Sequence, residues 1–298
     1  MGPQIYRDGQ RFIIPTSDWG FKRLFGSEMN KGLLIGLLNK IIDDKVIEDL
    51  EYLDRDIILP VGDVRKMSFD VYCKCADGSR IIVEMQNYAK SSFVDRALVY
   101  SSASIIENYT LSKAKGYRVQ KTYFIAITGE KVFPQVDHAP VRLAMCGIDL
   151  PERPVLNDKI LQIFIELPKF ADDLNGLKKD SPFLNKFAVA LKTMASYSER
   201  PKVMDDATLV DMFKAADLHG YEEVDLSNYK TSVMNEFEYE ETLKEYREEG
   251  LAEGLAQGLE EGRADSSREI AANMKKAGIT PDIIAKCAGL SIDEIKTL

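Results

Sequence analysis

Histidine and cysteine are scarce in this 298-residue chain, with two of the first and four of the second. His138 and His219 each stand alone, so a zinc ion held by the closely spaced Cys73 and Cys75 would lack a second pair of ligands. Cys73, Cys75, Cys146 and Cys287 are too scattered for a disulfide framework, and we expect buried thiols in a reducing cytoplasm. No apolar run approaches the ~20 residues that span a bilayer, which excludes an integral membrane helix and a membrane partner. The first residues, MGPQIYRDGQRF, lack the basic-then-apolar pattern of a secretion signal, so the expected location is cytoplasmic. There is no G-x-x-x-x-G-K-[S/T] phosphate loop, no G-x-G-x-x-G and no G-x-S-x-G elbow, so nothing supports a nucleotide-binding loop or a serine hydrolase.

What is present is the composition of an ordinary globular chain, 45% hydrophobic and 29% charged. Its length suits about two domains and a sizeable core without disulfides. The net charge of −9 argues at first against a nucleic-acid partner. That charge is uneven, however. Residues 236–263 hold ten Glu against three Lys or Arg, a net of −7, which leaves −2 for the rest of the chain. A nearly neutral body can carry a local basic patch, and Lys113, Lys115, Arg118 and Lys121 put four positive charges and no acid into nine residues. Such a run could grip a DNA backbone or be an ordinary basic loop.

Periodicity predicts a helix over 28–44, with Leu33, Leu34, Leu37, Leu38, Ile41 and Ile42 on one face. Before it, Ser17 or Asp18 could cap a short turn in the segment SDWGFKRLFG. Strands are expected at 51–59, stopped by Pro60, at 67–75 and at 80–86. A helix follows over 93–113, then the wholly apolar strand TYFIAIT at 122–128 and a strand at 160–167. The order is that of a mixed α/β domain over 1–168. Beyond Pro168 the pattern is helical, with helices at 183–198, 205–217 and 231–262. The boundaries drawn are a helical region over 169–235 and, over 236–298, an acidic glycine-periodic helix with a terminal helical hairpin.

The long helix repeats glycine every four residues, at Gly250, Gly254, Gly258 and Gly262, with Leu251, Leu255 and Leu259 in step. Each glycine costs a helix about 1 kcal/mol against alanine. Close helix–helix approach would offset that cost, through intrachain packing or through homo-oligomer formation over 231–262; the other reading is a frayed tail.

The chemistry is concentrated on one hairpin. In 67–75, Met67, Phe69, Val71, Cys73 and Cys75 alternate with Ser68, Asp70, Tyr72 and Lys74. In 80–86, Glu84 and Gln86 share a face with Ile82. Apolar faces match only if the loop at Ala76-Asp77-Gly78 has an odd residue count, because a one-residue slip turns every side chain over. That register sets Val71 opposite Val83 and Asp70 opposite Glu84. Two carboxylates would then have Cβ atoms about 5 Å apart, unfavourable unless a proton or cation bridges them. A hard ion such as Mg²⁺ takes one or two carboxylates plus waters, and the Met85 carbonyl could add a ligand. The plain alternative is a solvated face on which each acid has its own Lys or Arg neighbour.

The spacing from Asp70 to Glu84-Met85-Gln86, within an αβββαβ order, resembles the PD-(D/E)XK nuclease superfamily. More closely, it resembles the recombination-promoting nuclease and transposase branch. The resemblance is carried by Asp18-Trp19-Gly20-Phe21-Lys22-Arg23-Leu24-Phe25, by Phe69-Asp70-Val71, by Val83-Glu84-Met85-Gln86 and by Arg96 with Tyr100. It spans most of the chain, and the tail and terminal hairpin are similar too. It implies a restriction-endonuclease-like core with a mixed sheet, followed by an all-helical C-terminal region. It implies a Mg²⁺-dependent DNA endonuclease with Asp70 and Glu84 as metal ligands. Gln86 stands where the wider superfamily has lysine, and a neutral amide cannot supply that charge. Lys22 or Arg96 could supply it instead. Asp18 is read either as a third acid at the site or as a helix cap. Arg96 and Tyr100 are read either as site support or as packing. Two rivals remain: a nuclease-like scaffold that binds DNA or protein without cutting, and an adaptor that oligomerises through its long helix.

Overall fold

The fold is that of a computed structural model, which describes residues 5–57, 66–88, 92–111, 118–146, 152 and 155–298. The chain forms two compact units, Met1–Phe237 and Glu238–Leu298. The first begins with helices α1 (Asp18–Phe25) and α2 (Lys31–Ile41), followed by strands β1 (Leu50–Tyr52), β2 (Asp56–Ile57), β3 (Met67–Ser68), β4 (Val71–Cys75) and β5 (Arg80–Gln86). Then come helix α3 (Phe93–Leu111), strands β6 (Thr122–Thr128), β7 (Val141–Cys146) and β8 (Val155–Glu166), and helices α4 (Phe183–Thr193) and α5 (Ala207–Ala215). Helix α6 runs over Glu223–Lys276, and the chain ends in α7 (Pro281–Ala288) and α8 (Ile292–Thr297). Pro60 and residues 58–59 of the first expected strand lie outside the described residues, as do Lys113 and Lys115.

The main sheet has six strands in the order β1-β4-β5-β6-β8-β7. Strands β1, β4 and β5 are antiparallel, β5, β6 and β8 are parallel, and β7 returns antiparallel to β8. A parallel β5–β6 pair needs a long crossover, and α3 supplies it. All seven residues of β6 are buried, as its unbroken apolar run requires at the centre of a sheet covered on both faces.

Each face carries its own core. On one, Val71, Cys73, Ile81, Val83, Ile125 and Ile163 pack against α1, α2, α4 and α5. On the other, Tyr72, Ile82, Phe124 and Phe164 pack against Phe93, Ala97 and Ala103 of α3. Each such Ile or Phe contributes roughly 1.5–3 kcal/mol by leaving water. The helices set apart in sequence as a 169–235 region join the first of these cores through Phe187, Leu191, Met212, Phe213 and Tyr229. The odd-numbered apolar residues of the strands need a full layer of cover, and α1 and α2 share that cover with these later helices.

The hairpin register is the one expected. Val71 pairs with Val83 and Lys74 with Arg80, across a loop in which Gly78 has φ +84° and donates to the Cys75 carbonyl. A positive φ is what glycine tolerates without a Cβ penalty.

The two neighbouring strands correct the expectation of uninterrupted runs. Leu50 pairs with Cys75 and Tyr52 with Cys73, but Asp56 pairs with Ser68. Residues 53–55 therefore lie opposite residues 69–72, three against four. The extra residue is a β-bulge, and it inverts the alternation. Met67 and Phe69 enter the α3-side core beside Tyr72, whereas Val71, Cys73 and Cys75 enter the other. Phe69 is locked there, its ring centroid 5.1 Å from Tyr72 and 5.0 Å from Tyr100. Strand β7 adds an edge to the expected sheet, and β8 starts earlier than residue 160 because its first half pairs with that edge strand.

In the second unit, Ala271, Ile284, Ala288 and Ile295 form a small core. Gly289, with φ +68°, ends α7, and Ser291 opens α8 in a reciprocal capping box with Glu294. A Cβ built on Gly250, Gly254, Gly258 or Gly262 would meet nothing within 4 Å. Leu251, Leu255 and Leu259 are 67%, 76% and 56% exposed, so packing within the described chain does not account for the repeat. Among the described residues no helix is long and apolar enough to cross a membrane.

Candidate active site

Asp70 sits in the bulge and Glu84 near the end of β5, and the two are clamped reciprocally. Glu84 Oε1 accepts from the Asp70 main-chain N–H at 3.2 Å, and Asp70 Oδ2 accepts from the Met85 N–H at 2.8 Å. A bulge re-aims a side chain that a regular ladder would hold square to the sheet. Here the Asp70 carboxylate reaches the main-chain N–H of Met85 on β5. Glu84 is 5% exposed and the Asp70 side chain 17%.

Burial is the main cause that raises both carboxyls. Glu84 is pushed up to about 8, first by desolvation and then by the Asp70 charge, with Arg96 and Lys22 pulling only partly the other way. Asp70 is raised by burial against the opposing pull of the Met85 N–H and Lys22. The solvated-face alternative is therefore not what the fold builds. These are a buried and a half-buried acid, each accepting from the other segment's main chain and only partly compensated by cations.

Helix α1 brings the nearest cation. Lys22 Nζ lies 2.5 Å from Asp18 Oδ1 and 3.7 Å from Asp70 Oδ1. The cap of α1 is Ser17, whose Oγ accepts from the Gly20 N–H. Asp18 is thus not the cap; it holds Lys22, and its charge adds to the rise in Asp70. Gly20 seats the helix, because a Cβ there would lie 2.2 Å from the Ile14 carbonyl oxygen.

Helix α3 brings the second cation. Arg96 Nη2 donates to Gln86 Oε1 at 2.5 Å, and its guanidinium lies over the rings of Phe93 and Tyr100. Gln86 Nε2 donates to the Tyr88 carbonyl, so both ends of the amide are engaged. Arg96 Nε is buried with no partner, an unmet donor beside the acids. Burial and the Glu84 charge raise the Tyr100 hydroxyl.

The fold thus brings together Asp70, Glu84, Gln86, Lys22, Asp18, Arg96 and Tyr100. Met85 contributes its N–H to Asp70, while its side chain packs against the α1-side core. Of the expected DNA contacts, Arg118 is exposed. Lys121 is paired with Asp44 at 2.5 Å and Asp158 at 3.5 Å, so its charge is compensated locally. Two residues escaped sequence reasoning. Glu236 accepts from the Asp18 N–H and from Asn87 Nδ2. Neither showed a signal, since Glu236 is one acid in an acidic run and Asn87 one polar residue after a strand.

The donor set fits a hard divalent cation. Among the described residues no group of three or more His, Cys, Asp or Glu is placed to hold a metal, so the protein offers two carboxylates. Mg²⁺ ordinarily takes one or two and keeps its waters. A buried and a half-buried acid that both have raised proton affinity are a site where a cation can replace a proton.

No curated protein and no solved structure matches the chain. The description PD-(D/E)XK nuclease family transposase matches residues 15–245, a span that takes in both acids, α1, α3 and the helices over the sheet. The chain belongs to the PD-(D/E)XK nuclease family transposases.

Proposed function

We propose that this protein is a metal-dependent DNA endonuclease that hydrolyses phosphodiester bonds in the cytoplasm, in recombination or the movement of genetic elements. The observation that carries this reading is the reciprocal clamp of the half-buried Asp70 and the buried Glu84, both with raised proton affinity. Asp70, Glu84 and the Met85 carbonyl would hold Mg²⁺ or another divalent cation. Such an ion, when bound, polarises a phosphoryl oxygen and acidifies water. Lys22, about a third exposed, places an ammonium beside Asp70 that would meet a phosphate oxygen. Arg96 provides the charge that Gln86 lacks, and Asp18 and Tyr100 support the two cations from either side. Lys113, Lys115, Arg118 and Lys121 remain the proposed contacts to the DNA backbone, with Lys121 needing to leave Asp44 first. The exposed leucines of α6 fit a homo-oligomer through 231–262.

A second reading, a nuclease-like scaffold that binds DNA or protein without cutting, is favoured by one observation. The Gln86 amide already accepts from Arg96 and donates to the Tyr88 carbonyl, which ties it to the protein rather than to the carboxylates. Purified protein incubated with supercoiled plasmid and Mg²⁺ separates the two. The nuclease reading expects nicking that the Asp70→Ala, Glu84→Ala double variant abolishes. Equal cutting by both proteins would overturn it. No cutting, with retained DNA binding, would support the scaffold.

A further inference from the structure

Glu236 lies on α6, near the end of the first compact unit. Its carboxylate bridges two segments that carry proposed site residues. Oε2 accepts from the main-chain N–H of Asp18, the first residue of α1, at 3.1 Å. Oε1 accepts from Asn87 Nδ2 at 3.3 Å, and the same Nδ2 donates to the Thr16 carbonyl at 3.0 Å. Asn87 directly follows Gln86, and Gly129 presses on it so closely that a Cβ there would lie 2.5 Å from the Asn87 carbonyl oxygen. The strand end therefore has little room to shift.

At the other end of the bridge, an acid at a helix N-terminus satisfies a donor that the helix leaves open and suits the helix dipole. Ser17 serves the Gly20 N–H and Glu236 serves the Asp18 N–H. Asp18 in turn holds Lys22, which faces Asp70. One carboxylate thus ties together the helix bearing Lys22 and the strand end bearing Gln86.

We propose that Glu236 is a positioning residue of this site: it fixes α1 against the end of β5 and so sets Lys22 relative to the Asp70–Glu84 pair. The inference rests on the nuclease reading. A misplacement of about 1 Å at a reacting centre can cost up to roughly a hundredfold in rate, so a residue remote from the chemistry can matter.

The full chain provides its own reporter. Its single tryptophan, Trp19, is the second residue of α1 and packs with ring centroids 5.7 Å from Tyr221 and 5.4 Å from Tyr229. The variants are Glu236→Ala, the milder Glu236→Gln, Asn87→Ala and the double Glu236→Ala, Asn87→Ala. In plasmid cleavage with Mg²⁺, we expect Glu236→Ala to lower kcat about tenfold. KM for DNA and the thermal midpoint should stay near those of the wild type. Glu236→Gln keeps one acceptor oxygen and should lose less. The double variant should be no worse than the poorer single one, because both residues serve one bridge. In metal-free protein Trp19 emission should shift in the same order. Wild-type kcat in Glu236→Ala, or a drop that merely tracks a lost folded fraction, overturns the inference and leaves the nuclease reading standing. Wild-type cleavage that survives the Asp70→Ala, Glu84→Ala change, or no wild-type cleavage at all, removes the nuclease reading and this inference with it.

Discussion

Glu84 holds its proton up to about pH 8 in the metal-free fold, whereas an unfolded chain would release it near the ordinary carboxyl value of 4.5. The folded state binds more protons across that interval, so stability must fall as pH rises through it. The contribution is fully present below 4.5 and lost as pH passes about 8. Asp70, also raised, acts in the same direction. Acids held low by ion pairs, such as Asp44 and Asp206, act at the acid end and leave this window clear. The thermal midpoint of metal-free protein should therefore drop by several degrees between pH 5 and 8. Glu84→Gln, which keeps an oxygen for the Asp70 N–H but cannot ionise, should flatten the profile. Added Mg²⁺ should restore the midpoint at pH 8 by mass action on the folded state. Calorimetry across this range reads all three, and a flat wild-type profile would contradict the assignment.

At the scale of elements, two departures from regularity differ in kind. The bulge between β3 and β4 is packed from both sides, with Phe69 in one core and Val71 in the other. Its irregularity is held in place by aromatic contacts. The glycine repeat of α6 is the opposite case, because no neighbour crowds Gly250, Gly254, Gly258 or Gly262. Replacing Gly254 and Gly258 by alanine should stabilise the isolated helix by about 0.5–1 kcal/mol each. If two copies approach closely at these glycines, the same change should cut the mass seen by analytical ultracentrifugation while helicity rises. Raised helicity with unchanged mass would leave the repeat without a role in assembly.

At the scale of the whole molecule, the sheet has two faces to cover and α3 covers only one. The α1-side core takes Phe187, Leu191, Met212, Phe213, Tyr229 and Val233 from beyond residue 168. A fragment ending at residue 168 would leave that face open to water. Losing several large side chains costs about 2–5 kcal/mol each, together more than the 5–15 kcal/mol that holds a typical domain folded. We expect the 1–168 fragment to show no cooperative unfolding transition in urea and the 1–237 fragment to show one. A cooperative 1–168 fragment would make the later helices dispensable.

Local physics settled a definite part of this protein from sequence alone. The pairing of Val71 with Val83 and the loop closed by Gly78 follow from a period-two pattern and a short turn, where the partners are near neighbours in the chain. The buried run of β6 is legible for the same reason, whereas the residue pattern narrows the cap of α1 only to Ser17 or Asp18. Tertiary structure alone decided the rest. The bulge that re-aims Asp70 arises because Phe69 finds its place against Tyr100 of a helix yet to come. Arg96 reaches Gln86 only after α3 crosses over, and Glu236 meets Asn87 from 149 residues away. Periodicity states which face of a segment is apolar, but which distant segment covers that face is fixed by packing, and a packing partner leaves no mark on the spacing of residues.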